Sequence, residues 1–249
     1  MIIDDHVHVH EWSFSPDEDA YHIEHLIGLL DACGIDMAII EDSLAYVGHD
    51  QEHSNDETRK AVEAYPDRLI GFANIKPQLG EKRSRQEIDR TVGEWGFRGI
   101  KLHPAVDQFP ANAPMMDPVV QAAIEYDVPL WIHTGHQPYA TPIQVGLLAD
   151  RFPDAKIIVG HMGHDMFYDA IMAGRRYPSL YFDISQQGRH SFRAACEGLD
   201  PERLIFGSDA PYSNPAGPKA LVENSSLSRD VKEKILGGTV AALIGLEAA

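Results

Sequence analysis

Cysteine and positive charge are both scarce in this sequence, and each scarcity excludes a class of protein. Cys33 and Cys196 are the only cysteines and lie far apart, so they form neither a disulfide framework nor a Cys-x-x-Cys motif. Lys and Arg number 21 against 38 Asp and Glu, which gives a net charge of -17. Because that charge repels phosphate groups, we expect no nucleic acid and no anionic membrane surface as partner. A small-molecule substrate is expected instead.

The sequence also lacks a long apolar run. No stretch approaches the roughly 20 consecutive apolar residues that a transmembrane helix needs. The chain passes from Met1 directly into a short apolar stretch and acidic residues, without the basic head, apolar core and cleavage site of a signal peptide. We therefore expect a cytoplasmic protein. The sequence does not determine the oligomeric state, and a homo-oligomer stays open.

Strand and helix patterns alternate along all 249 residues, 44% of which are hydrophobic. The predicted strands are Ile2–His8, Asp36–Glu41, Arg68–Lys76, Phe97–His103, Pro129–Thr134, Lys156–His161, Ser179–Ser185 and Arg203–Asp209. The predicted helices are Asp19–Cys33, Glu57–Tyr65, Arg85–Trp95, Asp117–Tyr126, Ile143–Phe152, Met166–Arg175, His190–Gly198 and Arg229–Leu246, the last interrupted by Gly237-Gly238. This alternation is typical of βα units around a parallel sheet.

Eight such units favour one α/β domain over residues 1–249, a closed (β/α)8 TIM barrel. An open doubly wound sheet is the structural competitor, but no Gly-x-Gly-x-x-Gly motif follows any predicted strand. The longest loops follow the first, second and fourth strands and carry aromatic residues such as Trp12, Tyr46 and Phe109. In a barrel these loops lie at the C-terminal end, where active sites are built.

Two histidines end the first predicted strand. A strand has a side-chain period of two, so His6 and His8 project from one face while Val7 and Val9 project from the other. Two neutral imidazoles side by side suit a divalent metal such as zinc. They supply half of a metal site, so other strands must supply the remaining ligands.

Four more strands end in groups that ligate metals or transfer protons. These groups are Lys101 and His103 in "GIKLHP", His133 in "LWIHTG", His161 in "IIVGHMG" and Asp209 in "IFGSDAP". A single histidine at a strand end is more often a hydrogen-bonded packing residue than a ligand. However, the C-terminal ends of all strands in a closed barrel converge on one opening. We therefore expect these side chains to be neighbours.

These motifs make the sequence resemble the amidohydrolase superfamily. Within it, the sequence is similar to the branch of metal-dependent hydrolases and decarboxylases related to aminocarboxymuconate-semialdehyde decarboxylase. The motifs are Asp4-x-His6-x-His8, Gly99-Ile100-Lys101-Leu102-His103-Pro104, Ile132-His133-Thr134-Gly135, Gly160-His161-Met162-Gly163 and Phe206-Gly207-Ser208-Asp209-Ala210-Pro211. They cover essentially the whole chain in the expected order, and they are specific for fold and metal site rather than for substrate.

The resemblance implies a ligand set and a proton-transfer group. The implied metal ligands are His6, His8, His133 and Asp209. His161 is the implied acid/base or water-orienting residue. One divalent ion per chain, expected to be zinc, would lower the pKa of a bound water toward ~7. Asp209 beside that water would also be catalytic, because a carboxylate there can carry the proton to a leaving group.

Lys101 complicates the pattern, since some members of the wider superfamily carry a carboxylated lysine that bridges two metals at this strand. In the single-metal branch the ammonium is expected to bind a substrate carboxylate or carbonyl. An ion pair with a nearby aspartate is the alternative. Other expected substrate contacts are His103, Trp12 and Tyr212, with His10, His136, His164 and Arg189 as further candidates.

The expected activity is hydrolysis of a small ester, lactone or amide by metal-activated water, and the substrate is expected to be anionic. The first alternative is a non-oxidative decarboxylase or hydratase that uses the same ion to bind a carboxylate and stabilise an enolate-like intermediate. A phosphoesterase and a non-catalytic metal-binding barrel are further alternatives. Release of carbon dioxide rather than acid distinguishes the first alternative from hydrolysis.

Overall fold

The computed structural model of the protein describes residues 1–9, 22–42 and 50–246, and its core is an eight-stranded parallel sheet. The strands pair in chain order, each parallel to the next. They are β1 (Ile3–Val9), β2 (Met37–Asp42), β3 (Leu69–Asn74), β4 (Gly99–Leu102), β5 (Leu130–His133), β6 (Ile157–Gly160), β7 (Leu180–Asp183) and β8 (Leu204–Ile205).

The sheet closes where the residues after β8 return to β1. Val7 and Ala210 form a parallel bridge. The Asp5 N–H donates to the Phe206 carbonyl at 3.0 Å, and the His8 N–H donates to the Ala210 carbonyl at 2.8 Å. The (β/α)8 barrel predicted from the sequence is therefore confirmed.

Helices surround the barrel. They are α1 (Ile23–Cys33), α2 (Gln51–Ala64), α3 (Glu81–Ile88), α4 (Asp117–Glu125), α5 (Pro142–Arg151), α6 (Phe167–Arg176), α7 (Arg189–Gly198), α8 (Ala216–Glu223), α9 (Arg229–Glu233) and α10 (Thr239–Leu243). Shorter segments are the 3-10 turns Pro77–Leu79, Pro114–Met116, His161–Met166 and Pro201–Arg203 and the π-helical turns Asp89–Glu94 and Lys234–Gly238. None of the helices in the described ranges is both long and apolar enough to span a bilayer.

Two of the differences from the predicted helices have identifiable reasons. The α2 helix begins well before Glu57, because Asp50 caps its N-terminus by accepting the His53 N–H at 2.9 Å. The α8 helix was not predicted, since its first turn contains Gly217 and Pro218, two residue types with low helix propensity. The predicted start of the first helix at Asp19 lies outside the described residues.

A bulge in β1 brings its histidines to the barrel interior. The register of β1 against β2 shifts between Asp4 and Val7, and an extra residue in one strand changes the face on which later side chains lie. Ile3 belongs to the interior cluster with Trp131, and His6 stacks on the Trp131 ring at 3.9 Å between centroids. Ile3 and His6 therefore face the same interior, whereas Val7 packs with the helices outside.

A glycine on β6 makes room for the Trp131 ring in the barrel interior. A Cβ at Gly160 would lie 2.2 Å from the Trp131 ring, so only glycine fits on β6 at this level. Trp131 is 1% exposed and donates from Nε1 to Asp5 Oδ2 at 3.3 Å. The indole therefore forms a rigid floor beneath the histidines at the C-terminal end of the barrel.

Candidate metal centre

His6, His8 and Asp209 meet at the C-terminal end of the barrel. Asp209 Oδ1 lies 2.9 Å from His8 Nε2 and 3.3 Å from His6 Nε2. One ligand atom from each of the three residues lies within 4.8 Å of the others. All three side chains are buried. We call these residues the first cluster.

Asp209 is held in this position by its backbone and by the side-chain amide of Gln186, which donates to Asp209 Oδ2. Its φ of 63° is left-handed, and its N–H donates to the His6 carbonyl at 2.9 Å. Burial by itself raises the pKa of Asp209, but hydrogen bonds from His6 and His8 outweigh burial and lower that pKa well below its usual range. Asp209 is therefore an ionised carboxylate.

The second cluster consists of His133, His161 and His164, whose ligand atoms also lie within 4.8 Å of one another. His161 Nε2 lies 3.1 Å from His133 Nδ1. The two clusters adjoin, because the His6 and His161 ring centroids are 5.1 Å apart. The predicted ligands therefore divide: three lie in the first cluster, and His133 lies in the second.

A chain of hydrogen bonds orients the second cluster. Ser185 Oγ donates its proton to Asp183 Oδ2. Ser185 Oγ therefore accepts a hydrogen bond from His161 Nδ1, at 2.7 Å. His161 Nε2 then has a lone pair and accepts from His133 Nδ1 at 3.1 Å. This order of donors leaves the lone pair of His133 on Nε2. We call Asp183, Ser185, His161 and His133 the donor chain.

The residues fit a divalent ion. His133 Nε2 is buried and has no hydrogen-bond partner among the described residues, and the same holds for His164 Nε2. A buried polar atom without a hydrogen-bond partner is uncommon in proteins, and a site for a bound ion is one recognised cause. Two imidazoles and a carboxylate beside such a nitrogen form a ligand set that zinc and other first-row divalent metals accept.

The imidazoles at the site are in the form that ligates metals. Burial, reinforced by the charge of Lys101, lowers the pKa of His6 well below its usual value. Burial likewise lowers the pKa of His133, with His103 adding to the effect, and the pKa of His161, where Asp209 opposes it. These three rings are neutral at neutral pH, so each keeps one lone pair.

A layer of carboxyl groups lies beneath the histidines. Burial raises the pKa of Asp4 to about 7, and burial together with the charge of Asp183 raises the pKa of Asp5 well above its usual value. Burial also raises the pKa of Asp183 to about 6, although hydrogen bonds from Ser185 oppose the rise. A Cβ at Gly207 would lie 2.2 Å from both Asp5 Oδ1 and Asp183 Oδ1, so glycine is required there. Asp5 is therefore neutral. Asp183 accepts hydrogen bonds from Ser185 Oγ and from the His161 N–H.

Lys101 lies beneath the first cluster rather than at the barrel opening. Its ammonium is 2.5 Å from Glu41 Oε1, 3.5 Å from His6 Nε2 and 3.9 Å from the centroid of the Trp131 ring. The side chain is 1% exposed. Burial lowers the pKa of Lys101, and Glu41 opposes that effect. The alternative of an ion pair is thus what the structure shows, with Glu41 in place of an aspartate, and substrate contact by Lys101 stays a prediction.

The remaining predicted contacts fall in different places. His103 stacks on His133 with 3.7 Å between ring centroids, and its Nδ1 accepts the Val106 N–H at 3.3 Å. Tyr212 is 55% exposed, and its ring centroid is 5.1 Å from that of His8. Trp12 lies outside the described residues.

Sequence reasoning missed four residues that contact the clusters. They are Glu41, Asp183, Ser185 and Gln186. All of them lie at or just after the C-terminal end of β2 or β7. Their position at strand ends was the available signal, since the histidines and Asp209 were found by the same criterion.

Fold and site together define a class of protein: a (β/α)8 barrel enzyme with imidazoles and a carboxylate assembled at the C-terminal ends of its strands. The model of the amidohydrolase family matches residues 3–246, so this chain belongs to the amidohydrolase family. The resemblance seen in the sequence motifs is confirmed.

Several of the proteins to which this chain is similar are decarboxylases. Gamma-resorcylate decarboxylase of Polaromonas sp. strain JS666 is 24% identical over 281 residues, which cover 92% of this chain and 85% of that protein. The structure of 2,6-dihydroxybenzoate decarboxylase from Rhizobium superposes with a TM-score of 0.80 at 19% identity, covering 99% of each chain. A dihydroxybenzoic acid decarboxylase from Polaromonas sp. JS666 superposes with a TM-score of 0.79 at 20% identity, covering 100% of this chain and 98% of that one.

The similarity to these structures shows the fold of this chain, whereas their bound metals and ligands are properties of the other proteins. At such identities the superpositions show a shared fold. The dihydroxybenzoic acid decarboxylase structure contains manganese and the inhibitor 2-nitroresorcinol. The comparisons favour the decarboxylase alternative over the ester, lactone or amide hydrolysis that the sequence predicted first. Zinc as the ion of this chain stays a prediction.

Proposed function

We propose that this protein is a metal-dependent, non-oxidative decarboxylase of a small carboxylic acid. The observation that carries the proposal is the donor chain, in which a neutral His161 lies beside the first cluster with its lone pair on Nε2, where it accepts the hydrogen bond of His133 Nδ1. The decarboxylase relatives support this choice among the activities of the family. Hydroxylated benzoic acids are the first substrates to test, because the relatives described above include decarboxylases of dihydroxybenzoic acids.

His6, His8, His133 and Asp209 would hold the divalent ion. When bound, the ion supplies positive charge that binds the substrate carboxylate and stabilises negative charge developing on the substrate. The Trp131 floor beneath His6 excludes water from below the ligands. Substrate would therefore approach from the C-terminal end of the barrel.

The chain itself must supply one proton. Decarboxylation breaks the bond between the substrate carbon and its carboxylate, and the electron pair of that bond must take up a proton to give R–H and carbon dioxide. We assign the delivery of this proton to His161, which would take it from solvent on Nε2, in place of the hydrogen bond from His133, and pass it to carbon. The carboxylate of Asp183, acting through Ser185 Oγ, stabilises the imidazolium form of His161 during the transfer.

Carbon dioxide release and product mass test this proposal. Incubation of the Mn²⁺- or Zn²⁺-loaded protein with a panel of hydroxybenzoic acids should release carbon dioxide and a product lighter by the carboxyl group. In D₂O the product should carry one deuterium at the carbon that lost the carboxylate. Matched controls are the chelated protein and the His161→Asn variant, which should both lose the reaction.

Hydrolysis is the second candidate function, since metal-activated water would use the same ligands. Acid release from esters or lactones without any carbon dioxide would overturn the decarboxylase proposal in its favour. Addition of water to an unsaturated acid would indicate the hydratase alternative. Activity on phosphate esters alone, or metal binding with no turnover in any of these assays, would indicate the remaining two alternatives.

A further inference from the structure

Gln186 divides the two oxygens of Asp209 between different partners. Its side-chain amide donates from Nε2 to Asp209 Oδ2 at 2.8 Å. The other oxygen, Oδ1, is the one that lies 2.9 Å from His8 and 3.3 Å from His6. One oxygen of the carboxylate therefore faces the histidine pair, and the other is bound to an amide donor.

The backbone at Gln186 is held in a conformation that side chains rarely adopt. Its φ is 59°, close to the φ of 54° at His161 and 63° at Asp209. Three successive strands, β6, β7 and β8, are thus followed by non-glycine residues in the left-handed region. Such conformations are strained and persist where the surrounding structure requires them. Here each of the three side chains is brought toward the metal centre.

Gln187 fixes the loop that carries Gln186. Its Nε2 donates to the His161 carbonyl at 2.6 Å, and its N–H donates to the Ile184 carbonyl at 3.1 Å. Gln187 is buried, whereas Gln186 is exposed. The loop after β7 is therefore anchored to the end of β6 while Gln186 reaches the residue that follows β8.

We propose that Gln186 is a positioning residue that holds Asp209 as a ligand through Oδ1 alone. The inference rests on the proposed metal site. A neutral amide suits this role, because it donates a hydrogen bond without cancelling the negative charge that attracts the ion. With Oδ2 already bound to Gln186, Asp209 serves ligation, and the proton transfer falls to His161.

Metal affinity tests the inference independently of the reaction. The affinities of Gln186→Met and wild-type protein for Mn²⁺ and Zn²⁺ alone are measured by competition with a chromogenic chelator. Loss of a hydrogen bond to a metal ligand should weaken binding about 10- to 100-fold. The Mn²⁺ electron paramagnetic resonance spectrum should also change, because both oxygens of Asp209 become available to the ion.

Two further variants separate the amide from general destabilisation. Gln186→Gly removes the amide but relieves the left-handed backbone, so it should keep the melting temperature and still lose metal affinity. Gln108→Met is the matched control, since Gln108 is also an exposed glutamine with a φ of 58° and makes no side-chain hydrogen bond to another described residue. It should bind metal as wild type does.

The outcomes distinguish this inference from the proposed function. If both Gln186 variants bind metal within twofold of wild type with unchanged spectra, Gln186 does not position Asp209. An equal loss of affinity in Gln108→Met would also overturn the inference, because the effect would not depend on contact with Asp209. Failure of the wild-type protein to bind either metal would instead overturn the proposed metal centre.

Discussion

His8 Nε2 lies 2.9 Å from Asp209 Oδ1, although 201 positions separate the two residues in the chain. The contact exists because the barrel closes between β1 and the residues after β8, where the Asp209 N–H donates to the His6 carbonyl. The first cluster therefore forms only when the sheet closes between β1 and the residues after β8. Folding of the chain and the capacity to bind metal are therefore expected to depend on each other.

The first prediction concerns metal content. The double variant His6→Ala/His8→Ala should purify without metal, whereas wild type should contain about one divalent ion per chain, because water cannot replace two lost imidazoles without a large loss of affinity. Elemental analysis after gentle purification measures both values. His22→Ala/His25→Ala, which removes two exposed histidines, is the control and should keep the ion. Full metal content in the His6→Ala/His8→Ala variant would show that His6 and His8 are not metal ligands.

The second prediction separates proton transfer from ligation. His161→Asn should keep its metal but turn over substrate about 100-fold or more slowly, since a positioned acid or base contributes about that factor. Metal content and kcat are measured on the same preparation. If the metal leaves together with the imidazole, His161 is a ligand and the proposed division of roles is wrong.

The third prediction concerns the buried pair of Lys101 and Glu41. Lys101→Met removes the ammonium beside the buried carboxylate of Glu41, which should lower the free energy of unfolding by about 3–5 kcal/mol. The double variant Glu41→Gln/Lys101→Met removes both charges and should recover most of that loss. Urea unfolding of the metal-free proteins measures each step.

The same variant tests the role expected for Lys101 from the sequence. If Lys101→Met unfolds at the same urea concentration as wild type and only weakens the binding of anionic substrates, the ammonium contacts substrate. In that case the ion pair with Glu41 contributes nothing measurable to stability. A high-resolution density map that shows a carboxylated Lys101 would exclude both roles.

The fourth prediction concerns Cys196, which lies away from the metal centre on α7. Burial raises the pKa of the Cys196 thiol to about 11 from an ordinary 9.0. At pH 8 the thiolate fraction should then be about 100-fold lower than that of an ordinary thiol, and alkylation correspondingly slower. Iodoacetamide labelling of a Cys33→Ser variant, followed by mass spectrometry, gives the rate at each pH. A rate that already reaches its plateau at pH 9 would contradict the shift.

Strand-end chemistry could be predicted from the sequence because it depends on local pattern. Apolar runs of strand length ended in His6 and His8, in His133, in His161 and in Asp209, and a closed barrel brings such ends together. Glu41 and Gln186 also lie at strand ends, but this signal is weak for them, since a single polar residue after an apolar run is common and carries no metal-binding pattern. Only their contacts reveal what they do.

The sequence by itself determined the alternation of eight strands with helices, and it determined which residue types end those strands, since both follow from side-chain periodicity along a short stretch. The tertiary structure decided what those residues contact. Closure of the barrel brought Asp209 against His8, and the bulge in β1 turned His6 onto Trp131. Burial then set the pKa values, because desolvation acts only on a group that the whole fold has removed from water.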